Sequence, residues 1–166
     1  MSHWTEEQLL KLGHRLTDAE LQALGEEYLS ISDHTQREIF YAKTVFLHLR
    51  DHFKTLPAAD PMIEVLLLPI SSQHIPVLVA ARWKPKIVYA IYSSVSARHQ
   101  SFIEDEIKAL GLGIDIQGKP VENIEFEPTR LYQAIKDALR LYIKPGQLNP
   151  QVAVDITGGT SVMSVG

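Results

Sequence analysis

An α/β fold, a parallel sheet flanked by helices and preceded by a small helical region, is predicted for this chain by three observations. Short, nearly continuous apolar runs occur at 63–68, 87–92 and 152–156, the pattern of strands buried on both faces of a parallel sheet. Amphipathic stretches of helical period separate them, which gives the order β-α-β-α-β-α-β and right-handed crossovers. Before residue 61 the apolar spacing is helical throughout.

The first third carries three capping-box patterns, Thr5 with Gln8, Thr17 with Glu20 and Thr35 with Glu38, each expected to open a helix. On the third helix Ile39, Ala42, Phe46, Leu49 and Phe53 fall on one apolar face. The prolines of the 56–61 stretch, Pro57 and Pro61, break that pattern, so the boundary is placed at residue 60, with a helical region over 1–60 and an α/β domain over 61–166. The first strand is expected at 63–68, followed by the turn Pro69-Ile70-Ser71-Ser72-Gln73 and a helix from Pro76 to Trp83 that Lys84-Pro85 ends. After the second strand, 87–92, a helix carrying Ile103, Ile107 and Leu110 runs to Gly111 and Gly113. A turn at Gly118-Lys119-Pro120 and a strand at 124–126 come next, and Thr129 is the expected cap of a helix lined by Leu131, Ile135 and Leu139. Pro145-Gly146 stops that helix before the last strand. The sequence closes on Ser161-Val162-Met163-Ser164, which reads as the first turn of another helix, so the sheet is expected to be truncated on its C-terminal side and the chain to be a fragment.

Composition narrows the function classes. The 166 residues include no cysteine, which excludes a disulfide framework, a thiolate zinc site and a cysteine nucleophile. A reducing cytoplasm is the expected location; there is no secretory signal pattern and no apolar run long enough to span a membrane. The net charge of −4 is carried by the first 60 residues, with 6 Lys/Arg against 10 Asp/Glu, while the remainder has 10 of each. An acidic helical segment is a poor match for duplex DNA, whose phosphates call for concentrated basic charge.

In open parallel sheets, ligands bind beyond the carboxyl ends of the strands. Four such loops can be read: Ser71, Ser72 and Gln73; Ser93 and Ser94; Thr129; and Asp155 through Ser161. Hydroxyls and free N–H groups at helix starts suit phosphate or another anionic oxygen, and Gly158-Gly159 allows close backbone approach because neither carries a Cβ.

The segment Val152-Ala153-Val154-Asp155-Ile156-Thr157-Gly158-Gly159-Thr160-Ser161-Val162-Met163 resembles the Asp-x-Thr-Gly-Gly-Thr-Lys-x-Met signature of the CARF domains, the CRISPR-associated Rossmann-fold family. Leu68-Pro69-Ile70-Ser71-Ser72-Gln73-His74 and Trp83-Lys84-Pro85-Lys86-Ile87 resemble that family's serine turn and the Lys-Pro lead-in to its second strand. The resemblance covers residues 61–166. It implies a Rossmann-like domain that senses cyclic oligoadenylate, the second messenger of type III CRISPR antiviral defence, held across a homodimer and controlling an effector. By position it implies ligand contacts from Ser71, Ser72, Thr157, Gly158, Gly159, Thr160 and Ser161, with Asp155 orienting its turn. Ser161 stands where the family has Lys, a cation that helps some members cleave their own ligand, so the resemblance implies binding more than cleavage. Arg98 and Arg130 are the cations of neighbouring loops.

Other classes remain open at this level. A ring nuclease would use the same site. A nicotinamide-dependent enzyme is disfavoured by Pro-Ile-Ser-Ser-Gln in place of Gly-x-Gly-x-x-Gly after the first strand, and a DNA-binding regulator by N-terminal acidity. His48 and His52 have a zinc-compatible spacing but lack the metalloprotease glutamate, and solvent-exposed helix polarity is the simpler reading; no metal and no cofactor are expected. His74, beside the first loop, is either a polar loop residue, a base-stacking ring or a general acid or base.

Overall fold

A computed structural model describes residues 18–58, 62–122 and 127–155. The chain divides into two compact units, Met1–Leu56 and Pro57–Gly166.

In the N-terminal unit, helix α1 (Asp18–Ser30) is followed by α2 (His34–Phe40), a π-helical turn (Tyr41–Val45) and α3 (Phe46–Thr55). Asp33, not Thr35, caps α2: its side chain accepts from the Gln36 N–H at 2.8 Å. A carboxylate one residue before the helix reaches the free N–H groups of the first turn, whereas Thr35 already lies inside it. The π turn closes where the Phe46 N–H bonds the Tyr41 carbonyl, five residues back. An extra residue in one turn rotates the face that follows, so a strict three-and-four spacing fails across it. Accordingly, Thr44, Phe46 and His48 are buried, while Ile39, assigned to the apolar face by its spacing, is 42% exposed. Thr5, Gln8 and Thr17, expected to open helices, lie outside the described residues.

The second unit is built on a four-stranded parallel sheet in the order β3-β2-β1-β4. It is α/β with helices on both faces, consistent with a Rossmann-like fold. Strand β1 (Val65–Ile70) is buried along its whole length. It starts two residues later than the apolar run and takes in Pro69 and Ile70, which the sequence assigned to a turn. Pro69 is tolerated because the N–H it lacks would face the side of β4 (Val152–Val154), whose pairing among the described residues runs to Leu67, where the Leu67 carbonyl accepts from the Asp155 N–H at 3.1 Å; proline is excluded from strands chiefly where a ladder bond is needed.

Helix α4 (Ile75–Trp83) has Pro76 in its first turn and ends on Lys84, which is left-handed at φ 50° and donates its N–H to the Ala80 carbonyl. The following Pro85 bars Lys84 from the helical region, which is why the helix stops there. Strand β2 spans Ile87–Tyr92 as its apolar run predicts, and α5 (Gln100–Ala109) buries Ile103 and Ile107 before Gly111, at φ 66°, turns the chain. Strand β3 (Asp115–Pro120) occupies the segment read as a turn, pairing Gly118 with Ala90 and Pro120 with Tyr92. The expected strand at 124–126 lies outside the described residues. Helix α6 (Pro128–Tyr142) is preceded by Glu127 with no side-chain cap; Thr129, expected as the cap, falls one residue past the first-turn proline.

Val65, Leu67, Tyr89 and Ile91 pack with Leu131 and Ala138 of α6. Side chains alternate along a strand, so Leu66, Leu68, Ile70, Val88, Ala90 and Tyr92 face the opposite layer, that of α4 and α5. The Tyr142 hydroxyl at the end of α6 donates to Gln117 Oε1 at 2.8 Å, tying that helix to β3.

Gly118 sits at φ 153°, and a Cβ added there would lie 2.0 Å from the Ala90 carbonyl oxygen. Gly118→Ala is expected to destabilise the fold by on the order of 3 kcal/mol, from backbone strain and a clash that backbone atoms cannot avoid. A urea titration reading the unfolding midpoint checks this; an unchanged midpoint would mean that β3 pairs differently.

Candidate functional site

From β1 the chain steps through α4 to β2 and through α5 to β3, then returns by α6, on the opposite face, to place β4 on the far side of β1. The strand order therefore reverses at β1, and the carboxyl ends of β1 and β4 flank that reversal, the topological switch point at which open α/β sheets take ligands. Two of the predicted loops are at this switch point by their strands: Ser71-Ser72-Gln73 follows β1, and Asp155 follows β4. Thr157, Gly158, Gly159, Thr160 and Ser161 lie outside the described residues.

Ser71, Ser72 and Gln73 are half-buried. The Ser72 Oγ is enclosed and has no hydrogen-bond partner among the described residues. His74, next in line, precedes α4 and sets its ring edge-on to Phe102 of α5, with centroids 5.4 Å apart and planes at 85°. Gln73 Nε2 lies 3.3 Å from His74 Nε2, the amide donating when that ring nitrogen carries no proton. His74 is thus anchored between two side chains at the margin of the loop.

The loop after β2 is organised differently. Ser93 and Ser96 are buried and cap one another: the Ser93 N–H donates to Ser96 Oγ at 2.8 Å, the Ser96 N–H to Ser93 Oγ at 2.9 Å, and the two hydroxyls are 3.0 Å apart. This pair starts the short 3₁₀ turn Ser96–His99 that leads into α5. The Ser93 hydroxyl is therefore committed to its own turn, and Ser94 is the exposed serine of the loop. Thr129 is exposed in the first turn of α6. Of the two nearby cations, Arg130 is held by Glu127 at 2.7 Å, which keeps its guanidinium above its ordinary range, and Arg98 donates to His99 Nε2 at 3.3 Å. Burial, then the charge of Arg98, lowers the His99 pKa.

Sequence reasoning passed over Tyr92, the last residue of β2. It is 2% exposed, and its hydroxyl has no hydrogen-bond partner among the described residues. Burial first, and the Glu104 carboxylate of α5 second, push the phenol up to about 12. Tyrosine at a strand end is ordinarily core, and only the absence of a partner marks it. A buried hydroxyl without a partner is destabilising by about 1–3 kcal/mol, and in the described part of this unit both such atoms, Ser72 Oγ and Tyr92 OH, belong to residues at the carboxyl ends of adjacent strands.

The pair His48 and His52, read as exposed helix polarity, is partly interior: His48 is 4% exposed and stacks on His52 with centroids 6.3 Å apart. Among the described residues no group of three or more His, Cys, Asp or Glu could hold a metal ion. A cleft of about 210 Å³ in the N-terminal unit, lined by Leu24, Gly25, Tyr28, Tyr41, Val45, His48 and Leu49, is almost wholly apolar. No described helix is long and apolar enough to cross a membrane. No family model and no curated protein matches the chain in sequence.

Two measurements test these assignments. Ser93→Ala is expected to lower stability by about 1–3 kcal/mol, since it strands the Ser96 N–H in a buried turn; an unchanged urea midpoint would show that the turn does not depend on the pair. Tyr92 has a folded pKa above its unfolded value, so its contribution is fully present below pH 10 and is lost as pH rises toward 12. Alkaline unfolding curves should fall over that window for the native chain and less steeply for Tyr92→Phe.

Proposed function

We propose that residues 61–166 form a cyclic oligoadenylate sensor domain of CARF type, a ligand-binding regulatory module that acts as a homodimer and controls an effector. The observation that carries this reading is the strand order. It sets the serine turn after β1 beside the end of β4, the strand that leads into the Asp-x-Thr-Gly-Gly-Thr sequence. The resemblance to the CARF family rests in part on that serine turn and on the sequence that follows β4, and the described ends of β1 and β4 lie side by side at the reversal of strand order.

The chemistry of the switch point agrees with a phosphodiester ligand. Ser72 offers a hydroxyl with no internal partner among the described residues, and a helix begins directly behind it at Ile75, so a bound phosphate oxygen gains both a hydroxyl and the positive end of the helix. Ser161 in place of the family's Lys favours retention of the ring over its cleavage.

Calorimetric titration with cyclic tetra-adenylate and cyclic hexa-adenylate is the test. Binding near one ring per two chains is expected with one of them, together with an intact ring after prolonged incubation. Ser72→Ala is expected to weaken it about tenfold, the effect of losing one hydrogen bond to a charged group. Absence of heat with either ring overturns the reading, and a linearised product would turn it toward the ring nuclease.

A further inference from the structure

We infer that Arg98, on the 3₁₀ turn after β2, is the cation that holds a phosphate of the bound ring over the serine turn, one from each protomer; this rests on the sensor reading above.

A phosphodiester is an anion, and Ser71 and Ser72 can answer it only with neutral hydroxyls. Among the described residues, the Lys and Arg side chains at the carboxyl margin of the sheet are Arg98, Lys119 and Arg130, and the structure separates them. Arg130 is on α6, the helix that packs on the face away from α4 and α5, and Glu127 holds it at 2.7 Å. Lys119 is on the edge strand β3, two strands from β1, and its register partner Ile91 packs toward α6; paired residues share a face of the sheet, so Lys119 is on the α6 side as well. Arg98 is on the same face as the helix that the serine turn opens. Strands β1 and β2 pair as far as Ile70 and Tyr92, so the two loops start on neighbouring strands about 4.8 Å apart, and the Ser93–Ser96 pair fixes the turn that follows. Arg98 and Phe102 are four residues apart on the helical stretch from Ser96 to Ala109, a spacing that makes them neighbours on one side. Phe102 defines that side: its ring meets His74, which follows the serine turn, with centroids 5.4 Å apart. Arg98 thus stands one turn nearer the margin on the flank of α5 that looks toward the serine turn. It is exposed, so a ligand reaches it without any opening of the core, and it makes no ion pair among the described residues. Its Nε donates to His99 Nε2 at 3.3 Å, and burial and the Arg98 charge hold that imidazole toward its neutral, accepting form. The contact orients the guanidinium without neutralising it and leaves its two terminal nitrogens for the paired donation that a phosphate accepts.

The experiment titrates wild type, Arg98→Gln, Arg98→Lys and Arg130→Gln with cyclic tetra-adenylate and cyclic hexa-adenylate. For the ring that wild type binds, Arg98→Gln is expected to lose at least about tenfold, the effect of one hydrogen bond to a charged group. Arg98→Lys should lose less, since it keeps the charge but not the fork, and Arg130→Gln should bind as wild type does. Raising the salt concentration should weaken wild type more steeply than Arg98→Gln, because the contact removed is the one that salt screens. The urea midpoint of Arg98→Gln should match that of wild type, as expected at an exposed side chain outside the core. Equal binding by Arg98→Gln, an equal loss in Arg130→Gln, or a loss of binding that comes with a lowered midpoint each overturns the inference while the sensor reading stands. If wild type binds neither ring, both fall together.

Discussion

The architecture depends on the burial of β1 from both faces. Val65 and Leu67 are sealed by α6, and Leu66, Leu68 and Ile70 by the opposite layer, so neither side of the sheet can be left to water. A right-handed crossover places its helix on one face when the chain moves one way across the sheet and on the other face when it moves back. Covering both faces therefore requires a reversal, and the reversal has to occur next to the strand where the chain began. The same reversal that completes the core brings the carboxyl ends of β1 and β4 side by side.

The two ends of the strands differ in their hydrogen bonding. The lower margin is tightly closed, with Gln151 accepting from both Glu64 and Val65, and Glu64 accepting from both Lys86 and Ile87. A Glu64–Lys86 ion pair at 2.8 Å lowers the Glu64 carboxyl below its ordinary range. The upper margin is looser. Pro69 has no N–H to offer toward β4, and the Ser72 and Tyr92 hydroxyls have no hydrogen-bond partner among the described residues.

How much of this was legible in the sequence follows from how strongly each segment is constrained by its own residues. Strand β2 and helix α4 were read closely because apolar runs bounded by a proline leave few alternatives. Strand β3 was missed because Asp-Ile-Gln-Gly-Lys-Pro carries turn residues and is mostly exposed; its conformation is fixed by pairing with β2, which a local pattern does not contain. The π turn was invisible for a similar reason, and with it went the burial of His48 and the exposure of Ile39. The caps expected at Thr35 and Thr129 fall two positions late, since Asp33 caps the first helix and the second starts from Glu127 with a first-turn proline and no side-chain cap. At the switch point, the serines after β1 and the position of Asp155 were legible from strand ends alone. Tyr92 was not, because a buried tyrosine becomes informative only when its hydroxyl is seen to lack a partner.

The composition of β3 also bears on how copies of this protein behave when crowded. Among the described residues its outer side is unpaired, and an open strand margin is a template onto which a foreign strand can zip. Here the template is poor. Pro120 has no donor to offer, Asp115 and Lys119 would have to shed their hydration shells to be stacked against a neighbour, and Gly118, at φ 153°, departs from the regular pleat that a fibril repeats. Residues that hid the strand from a local reading thus protect it from polymerisation: the features that make the segment look like a turn are the ones that make it a blunt edge.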